Sequence, residues 1–235
     1  VSMRDKPYDV PASGTVRYQY FIVDPKLAED KWVSAAEIQP GERSVVHHVL
    51  VFAKTESEMR KFDGEGAFLA AYVPGFLPQQ YPTGMAKLVP AGSKLVFQVH
   101  YTPNGKAAKD TSRIGLLFAD EKSVTHAVMT SEARKSGGLI IPPNASDSQH
   151  EANSPKSPVD VQILNLMPHM HVRGKSFRYE LRTSDGRSET VLDVPRYDFN
   201  WQTSYQLAEP LKVPAGGFMH VVAHYDNSQN NFNNP

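Results

Sequence analysis

A short motif occurs twice in this chain of 235 residues and restricts the folds that it can adopt. Val-Pro-Ala-Gly at residues 89–92 precedes Val-His-Tyr at 99–101, and Val-Pro-Ala-Gly at 213–216 precedes Ala-His-Tyr at 223–225. The second copy lies 124 residues after the first, and the same spacing leads from His47 to His171. Self-similarity at a fixed spacing indicates a repeated structural unit. We therefore predict two copies of one domain, at residues 1–120 and 121–235, with the second copy opening at residues 124–129.

The runs between the Pro and Gly turns are typical of β-strands. Residues 15–23 and 94–101 are rich in β-branched and aromatic side chains. Residues 135–158 are predicted to be a loop with a strand at 139–141, and residues 56–62 a short helical turn beside the glycine-containing residues 63–66. The sequence predicts an all-β fold, made of two tandem antiparallel β-sandwiches.

The composition excludes several classes of function. Lys plus Arg and Asp plus Glu number 25 each, so no net charge favours nucleic acid or an anionic membrane surface. No apolar run approaches the roughly 20 residues of a membrane span, and residues 1–5 do not resemble a signal peptide. The chain has no cysteine, so a bound metal would depend on His, Met, Asp or Glu. Phosphate-binding glycine motifs, Gly-x-Ser-x-Gly and His-Glu-x-x-His are absent from the sequence.

Two histidine groups are candidate metal sites. In the His-Met-His sequence at 169–171, a strand would place His169 and His171 on the same face. The alternative is a surface strand that carries two histidines by chance. His47 and His48 lie in the apolar run 44–52, and neighbouring strand residues share a face only at a bulge or a strand end. They are either a ligand pair or one ligand beside one structural histidine, and His100 would complete a three-imidazole site.

The type of metal is left open by the histidines alone. Imidazole ligands suit copper, zinc, iron and nickel, and an added thioether would favour copper. Met167, Met170 and Met219 lie near the second pair in the sequence, although a role in the core is the favoured interpretation for each. His224, the repeat counterpart of His100, is a possible extra ligand, or a side chain that contacts a ligand. The alternating aromatic residues of 196–202 are predicted to form a strand that packs in the core rather than to line a substrate cavity.

Taken together, these motifs resemble those of the copper type II, ascorbate-dependent monooxygenases, the family of peptidylglycine α-hydroxylating and dopamine β-monooxygenases. The resemblance rests on Val-His-His-Val at 46–49, Gln-Val-His-Tyr at 98–101 and His-Met-His-Val-Arg-Gly-Lys at 169–175. Pro-His-Met-His at 168–171, Tyr-Asp-Phe-Asn-Trp-Gln at 197–202 and His-Tyr-Asp-Asn-Ser at 224–228 are similar to motifs of bacterial relatives.

The resemblance implies two jelly-roll-like sandwiches and two copper ions. His47, His48 and His100 would hold an electron-transfer copper, and His169 and His171 would hold a copper at which O₂ binds. Ascorbate would reduce both ions, and a C–H bond of an unknown small-molecule or peptide substrate would be hydroxylated. A periplasmic or secreted location is also implied.

The chain departs from the family pattern in three places. Met167 stands where peptide-amidating members have a substrate-binding arginine, so a peptidylglycine substrate is not expected. The family's methionine ligand to the second copper belongs to a motif downstream of Pro235, so that site is expected to be incomplete within these residues. The animal enzymes are rich in disulfides, and the lack of cysteine fits a bacterial relative. Two other functions stay open: a copper-binding or electron-transfer module without hydroxylase activity, and a structural sandwich pair with incidental histidines.

Overall fold

The computed structural model describes residues 1–59, 68–73, 78–133, 135 and 137–234. In this part of the chain, strands dominate, and they pair almost entirely in antiparallel fashion, which confirms the all-β prediction. The chain divides into two compact units, unit 1 (Val1–Thr130) and unit 2 (Ser131–Pro235). No helix in the described part of the chain combines the length and the apolar character that crossing a membrane requires.

Unit 1 contains eleven of the described strands, a 3₁₀ helix at Glu121–Ser123 and the short helix α1 (Glu56–Met59). This helix is the described part of the predicted helical turn, and residues 60–67 lie outside the described residues. The strands are β1 (Tyr8–Val10), β2 (Gln19–Val23), β3 (Lys31–Gln39), β4 (Val46–Lys54), β5 (Phe68–Tyr72), β6 (Gln79–Gln80), β7 (Met85–Val89), β8 (Lys94–Tyr101), β9 (Ala108–Asp110), β10 (Arg113–Ala119) and β11 (His126–Ala127).

Two sheets of unit 1 enclose its core. One has the order β10-β3-β7-β11 with β6 beside β3, the other has the order β2-β8-β4-β5, and β1 pairs separately with β9. Val33 of the first sheet and Val49 and Phe97 of the second belong to the same buried apolar cluster. Because every second residue of a strand faces the core, Phe97 and Val99 are buried while Gln98 and His100 face outward.

Unit 2 contains six described strands: β12 (Ser148–Asn153), β13 (Val161–Leu166), β14 (Gly174–Arg182), β15 (Ser188–Val194), β16 (Tyr205–Val213) and β17 (Phe218–Tyr225). They form a sheet of order β12-β17-β14-β15 and a pair β13-β16. Leu166 and Val213 of the pair pack with Leu181 and Met219 of the larger sheet. The core of unit 2 therefore also lies between two layers of strands.

The division between the units falls later than the boundary predicted from the sequence. His126 and Ala127 form β11, which pairs with β7 in a parallel arrangement, so these residues belong to unit 1 rather than opening unit 2. The sequence of residues 124–129 predicted the start of the second domain, but nothing in it indicates which unit supplies the partner strand. The units meet in sequence at Thr130 and Ser131, ten residues after the predicted boundary at residue 120.

The loop predicted for residues 135–158 is confirmed for the described residues before 148 and after 153, but the position predicted for its strand was wrong. Within this range lies β12, whereas residues 139–141 are not in a strand. The sequence Ser-Gln-His-Glu-Ala-Asn of β12 is polar because β12 is an edge strand, and its order comes from backbone pairing with β17 over six residues. Ile141 packs as a coil residue against the cluster that contains Met170 and Tyr225.

The two units repeat one strand arrangement with closely matched details. The sheet β2-β8-β4-β5 corresponds to β12-β17-β14-β15, and the pair β3-β7 corresponds to β13-β16. The turns before β8 and β17 each contain a glycine with positive φ, Gly92 (70°) and Gly216 (81°). The carboxylates of Asp30 and Asp160 accept the backbone N–H groups of Ala91 and Ala215 at those turns. These shared features explain why the Val-Pro-Ala-Gly motif occurs twice in the chain.

Candidate metal centre

A bulge in β4 brings His47 and His48 to the same face of the sheet. Val46 pairs with Tyr101 and His48 with His100, so His47 is the extra residue between the two pairs. In a regular strand His47 would point into the core on the side of Val49, but the bulge turns it outward. Both histidines are half-buried, as is His100 on the neighbouring strand.

These three histidines form a compact cluster. The ring centroids lie 5.4 Å apart for His47 and His48, 5.1 Å for His47 and His100, and 5.2 Å for His48 and His100. One ring nitrogen of each lies within 4.8 Å of those of the other two. Among the described residues, no other group of three or more His, Cys, Asp or Glu side chains brings its ligand atoms this close together. We call this group the three-histidine cluster.

The donor atoms of the cluster fit a metal ion that prefers imidazole. The Nδ1 atoms of His47 and His48 lie 3.1 Å apart. Metal–nitrogen distances of about 2.0–2.1 Å place two ligand nitrogens of a tetrahedral ion about 3.3 Å apart, close to this separation. Without an ion, the Nδ1–H of one ring can donate to the Nδ1 of the other, and a bound ion would instead accept a lone pair from each. Copper and zinc are both compatible with this donor set.

The pKa of His100 lies below the ordinary histidine value. Burial disfavours the charged imidazolium, and the nearby His47 adds charge repulsion when it is protonated. Metal ions bind neutral imidazole, so the lowered pKa of His100 favours the form that can act as a ligand at neutral pH.

Tyr18 covers one side of the cluster, and no sequence motif marks it as a site residue. Its ring stacks on that of His100 at 4.9 Å with an interplanar angle of 23°, and lies 5.5 Å from the ring of His48. The residue directly precedes β2, which pairs with β8. Its place in the β-rich run 15–23 was visible in the sequence, but the pairing that brings it to His100 was not.

His169 and His171 lie close together, as predicted, but the prediction that they lie on a strand was wrong. They occupy the coil between β13 and β14, with ring centroids 5.2 Å apart and planes at 90°. Met170 between them is buried against Ala223 and Tyr225, and the hydroxyl of Tyr197 donates to its carbonyl oxygen at 2.7 Å. This anchored core residue, rather than strand alternation, leaves both imidazoles on the exposed side of the segment.

The surroundings of His169 and His171 are partly aromatic. The ring of Phe199 lies 5.9 Å from that of His171. The pKa of His169 is lowered because neighbouring atoms remove water from its ring and because His171 adds repulsion, while a hydrogen bond with Gln202 opposes the shift. Among the described residues, no third His, Asp or Glu completes a cluster with this pair.

The aromatic residues of 196–202 do not form the packed strand that the sequence analysis predicted. The segment is coil and turn, and Trp201 is 65% exposed. With Tyr197, Trp201 lines a cavity of about 290 Å³ that begins at Pro168, next to His169. The prediction failed because a bend at 195–196 and a turn at 199–200 prevent the segment from forming the extended strand that the alternation of residue types suggested. The other lining residues are Val194, Arg196, Asp198 and Tyr205.

The core role that the sequence favoured for the methionines holds for two of them. Met170 is 3% exposed, and Met219 is 6% exposed in the cluster of Leu166 and Val213. Met167 is half-buried, and its carbonyl oxygen accepts a hydrogen bond from the hydroxyl of Tyr179.

The strand register corrects the correspondence between the histidines of the two units. Ser176 pairs with His224 as His48 pairs with His100, and Lys175 occupies a bulge as His47 does. The counterpart of His47 is therefore Lys175 and not His171. The constant spacing of 124 residues holds for β8 and β17 but becomes 128 for β4 and β14, because the connecting segments differ in length.

His224 is engaged away from the His169 and His171 pair. Its Nδ1 atom lies 3.0 Å from Oδ1 of Asp147. The structure therefore brings together the three histidines of unit 1 and, separately, the two histidines of the His-Met-His segment, but it places His224 in neither group.

No model of a known protein family matches this chain. The chain is similar to the mouse (Mus musculus) protein named DBH-like monooxygenase protein 2, with 24% identity over 218 residues. This similarity covers 80% of the chain and 35% of the relative, so the chain spans about a third of the relative's length. Since neither unit alone makes up 80% of the chain, the similarity includes residues of both units.

Proposed function

We propose that this chain is the copper-binding part of a monooxygenase that hydroxylates a C–H bond with O₂ and an ascorbate-type reductant. The observation that carries the proposal is the three-histidine cluster, in which a bulge and a neighbouring strand bring three imidazoles to one point. The similarity to a DBH-like monooxygenase protein supports the same reaction class. A periplasmic or secreted location stays a prediction from the family resemblance.

Copper, when bound, supplies the one-electron transfers and the reactivity toward O₂ that the hydroxylation requires. In unit 1, His47, His48 and His100 would hold one ion for electron transfer. Their backbone atoms belong to two hydrogen-bonded strands, which fixes the positions of the imidazoles before the metal binds. The Tyr18 ring restricts the orientation of His100 and shields one side of the cluster from water.

In unit 2, His169 and His171 would hold the copper at which O₂ reacts. The hydrogen bond with Gln202 orients the His169 ring, and the cavity between Pro168 and Trp201 offers a surface for the substrate beside it. The overall reaction consumes the substrate C–H bond, O₂, two electrons and two protons, and yields an alcohol and water. The aromatic rings of the cavity suit an apolar or aromatic part of a small-molecule or peptide substrate.

A second candidate function is a copper-binding or electron-transfer module without hydroxylase activity. One observation favours it: among the described residues, the three-histidine cluster has three ligand side chains, while the His169 and His171 pair has two. This alternative predicts reversible copper reduction without incorporation of oxygen into any product. A structural sandwich pair with incidental histidines predicts that no copper is retained.

The first test is the copper content after dialysis against copper-free buffer. We expect about two ions per chain in the parent protein, with His100→Ala and His171→Ala each losing one. One ion, lost only in His100→Ala, would support the electron-transfer alternative or a second site left incomplete without the downstream methionine, and no retained ion would refute both copper proposals. His126→Ala, a change at an exposed histidine outside both groups, is the matched control and leaves the copper content unchanged.

The second test is incorporation of oxygen from ¹⁸O₂ into product, with ascorbate as reductant and with a phenylethylamine and an acylglycine as probe substrates. One ¹⁸O atom per hydroxylated product, abolished in His171→Ala, supports the monooxygenase proposal. A protein that carries two coppers and is reduced by ascorbate, yet yields no labelled product from a wider set of C–H substrates, would refute it in favour of electron transfer.

A further inference from the structure

Unit 2 contains charged side chains at the position that corresponds to the three-histidine cluster of unit 1. His224 is present at the place of His100, while Lys175 replaces His47 and Ser176 replaces His48. Both units retain the bulge, between Val46 and His48 in unit 1 and between Gly174 and Ser176 in unit 2. The backbone that supports a metal cluster in unit 1 is therefore repeated in unit 2, and the side chains differ.

The ammonium group of Lys175 occupies this position together with oxygen ligands. Its Nζ atom lies 3.1 Å from Oδ1 of Asp147 and 3.2 Å from the carbonyl oxygen of Ser146. The same Oδ1 atom lies 3.0 Å from Nδ1 of His224. Hydrogen bonds from Lys175 and His224 lower the pKa of Asp147, so the carboxylate is charged at neutral pH.

A second carboxylate lies within electrostatic range of the same ammonium. Hydrogen bonds with Ser228 are the main reason that the pKa of Asp226 is lowered. The charge of Lys175 lowers this pKa further, and the like charge of Asp147 opposes the shift. The half-exposed ammonium of Lys175 thus contacts one carboxylate and one carbonyl oxygen, and that carboxylate also contacts the imidazole of His224. Carboxylate, carbonyl and imidazole groups are also ligands of divalent metal ions, so the surroundings of the ammonium resemble those of a cation site.

We propose that this position is a cation site that the protein fills with its own Lys175 ammonium, which keeps divalent metal ions away from His224. Replacing the ammonium by ligands would open the site, because the bulge already directs positions 175 and 176 toward His224 as it directs His47 and His48 toward His100. Metal binding in unit 2 is then confined to His169 and His171. The proposal concerns His224 and Lys175 alone, and it holds whether or not the three-histidine cluster carries copper.

The test is the copper content of the full chain after dialysis, with copper(II) alone as the probe. The double variant Lys175→His with Ser176→His rebuilds three imidazoles at the bulge of unit 2. We expect it to retain one copper more than the parent protein, and we expect the additional His224→Ala change to remove that ion. In the parent background, His224→Ala is expected to leave the copper content unchanged.

A single variant covers the case in which the double variant does not fold. Lys175→Met removes the ammonium but leaves Asp147 and His224, and calorimetric titration is expected to show one added copper-binding event that His224→Ala abolishes. Lys212→His, an exposed change on β16, is the control and adds no ion that survives dialysis. Folded variants at position 175 with the parent's copper content would overturn the proposal, as would loss of copper from the parent protein in His224→Ala.

Discussion

Tyr101 and His100 are neighbours on β8, but the Tyr101 side chain faces the core and the His100 side chain faces outward. The Tyr101→Phe change tests the role of Tyr101 in stability and leaves His100 unaltered. Tyr101 is 1% exposed, and its hydroxyl donates at 2.8 Å to Oδ2 of Asp110, a carboxylate that is fully buried. Asp110 also accepts hydrogen bonds from the hydroxyl of Ser112 and the backbone N–H of Glu42. The network lies on the core side of the sheet, whereas His100 faces outward.

The expected cost follows from the loss of one charge-assisted hydrogen bond. The phenylalanine ring fills the same space, so no large cavity forms and the change acts through Asp110. A hydrogen bond to a charged group contributes about 1.5–3 kcal/mol to stability. We therefore expect Tyr101→Phe to reduce the free energy of unfolding of unit 1 by about 2 kcal/mol, with unchanged copper content.

Tryptophan fluorescence during urea unfolding measures this loss. The chain has two tryptophans, Trp32 in unit 1 and Trp201 in unit 2, so a Trp201→Phe background reports on unit 1. With a urea dependence of about 2 kcal/mol per M, the midpoint should fall by about 1 M. In the metal-free protein, His100→Ala should shift the midpoint less, because that side chain is half-buried, yet it should abolish copper binding by the cluster.

Tyr225→Phe is the matched control, because Tyr225 occupies the repeat position of Tyr101 in unit 2. Its hydroxyl makes no hydrogen bond with another described residue, so we expect a loss below about 0.5 kcal/mol, followed through Trp201 in a Trp32→Phe background. An unchanged midpoint in Tyr101→Phe would refute the assigned role of the Asp110 network. Loss of copper in parallel with stability would refute the separation of the two faces of β8.

Two further predictions concern the histidines and Tyr18. Because the pKa values of His100 and His169 are lowered, the folded metal-free protein binds fewer protons than the unfolded chain below about pH 6.5. Its stability should thus fall as the pH drops through the folded-state values, and a His100→Ala, His169→Ala double variant should show a weaker fall in urea midpoint between pH 7 and pH 5; an equally steep fall would contradict the prediction. Tyr18→Ala removes a ring contact worth about 0.5–1.5 kcal/mol, so copper affinity of the cluster should weaken by roughly twofold to tenfold in competition with a chelator, at unchanged stoichiometry. Tyr20→Ala, at an equally exposed tyrosine two residues further along on β2, is the control, and equal effects of the two changes would argue against a specific role for Tyr18.

The parts of the fold that depend on local pattern were predictable from the sequence. The β-branched and aromatic runs at 15–23 and 94–101 contain β2 and β8, because β8 has a buried face and Phe21 and Val23 of β2 pack against the same core. The polar strand β12 was missed, because its order comes from pairing with β17 and leaves no hydrophobic alternation in the sequence. Strand identity is thus encoded locally where burial dictates it, and otherwise depends on the partner strand.

The candidate site was predictable in composition but not in geometry. The sequence indicated that His47 and His48 could share one ion only if the strand were interrupted, yet no residue in the apolar run identifies a bulge. The counterpart of His47 was misassigned because sequence spacing counts inserted residues, whereas strand register does not. The Tyr18 contact depends on tertiary packing, and the sequence offered no local sign of it, whereas Pro168 is a local sign against a regular strand at 167–171.

The three histidines of the cluster come from only two adjacent strands, β4 and β8, and this arrangement affects how a metal ion would be exchanged. The β4 and β8 backbones are joined by their own ladder of hydrogen bonds and lie over a buried core, so the scaffold does not require the ion in order to form. If an ion is bound there, its removal should leave the three imidazoles in place, and binding of a new ion should require little rearrangement of the chain. Such a site is suited to delivery by transient contact with a metal donor after folding is complete, rather than to capture of the metal during synthesis.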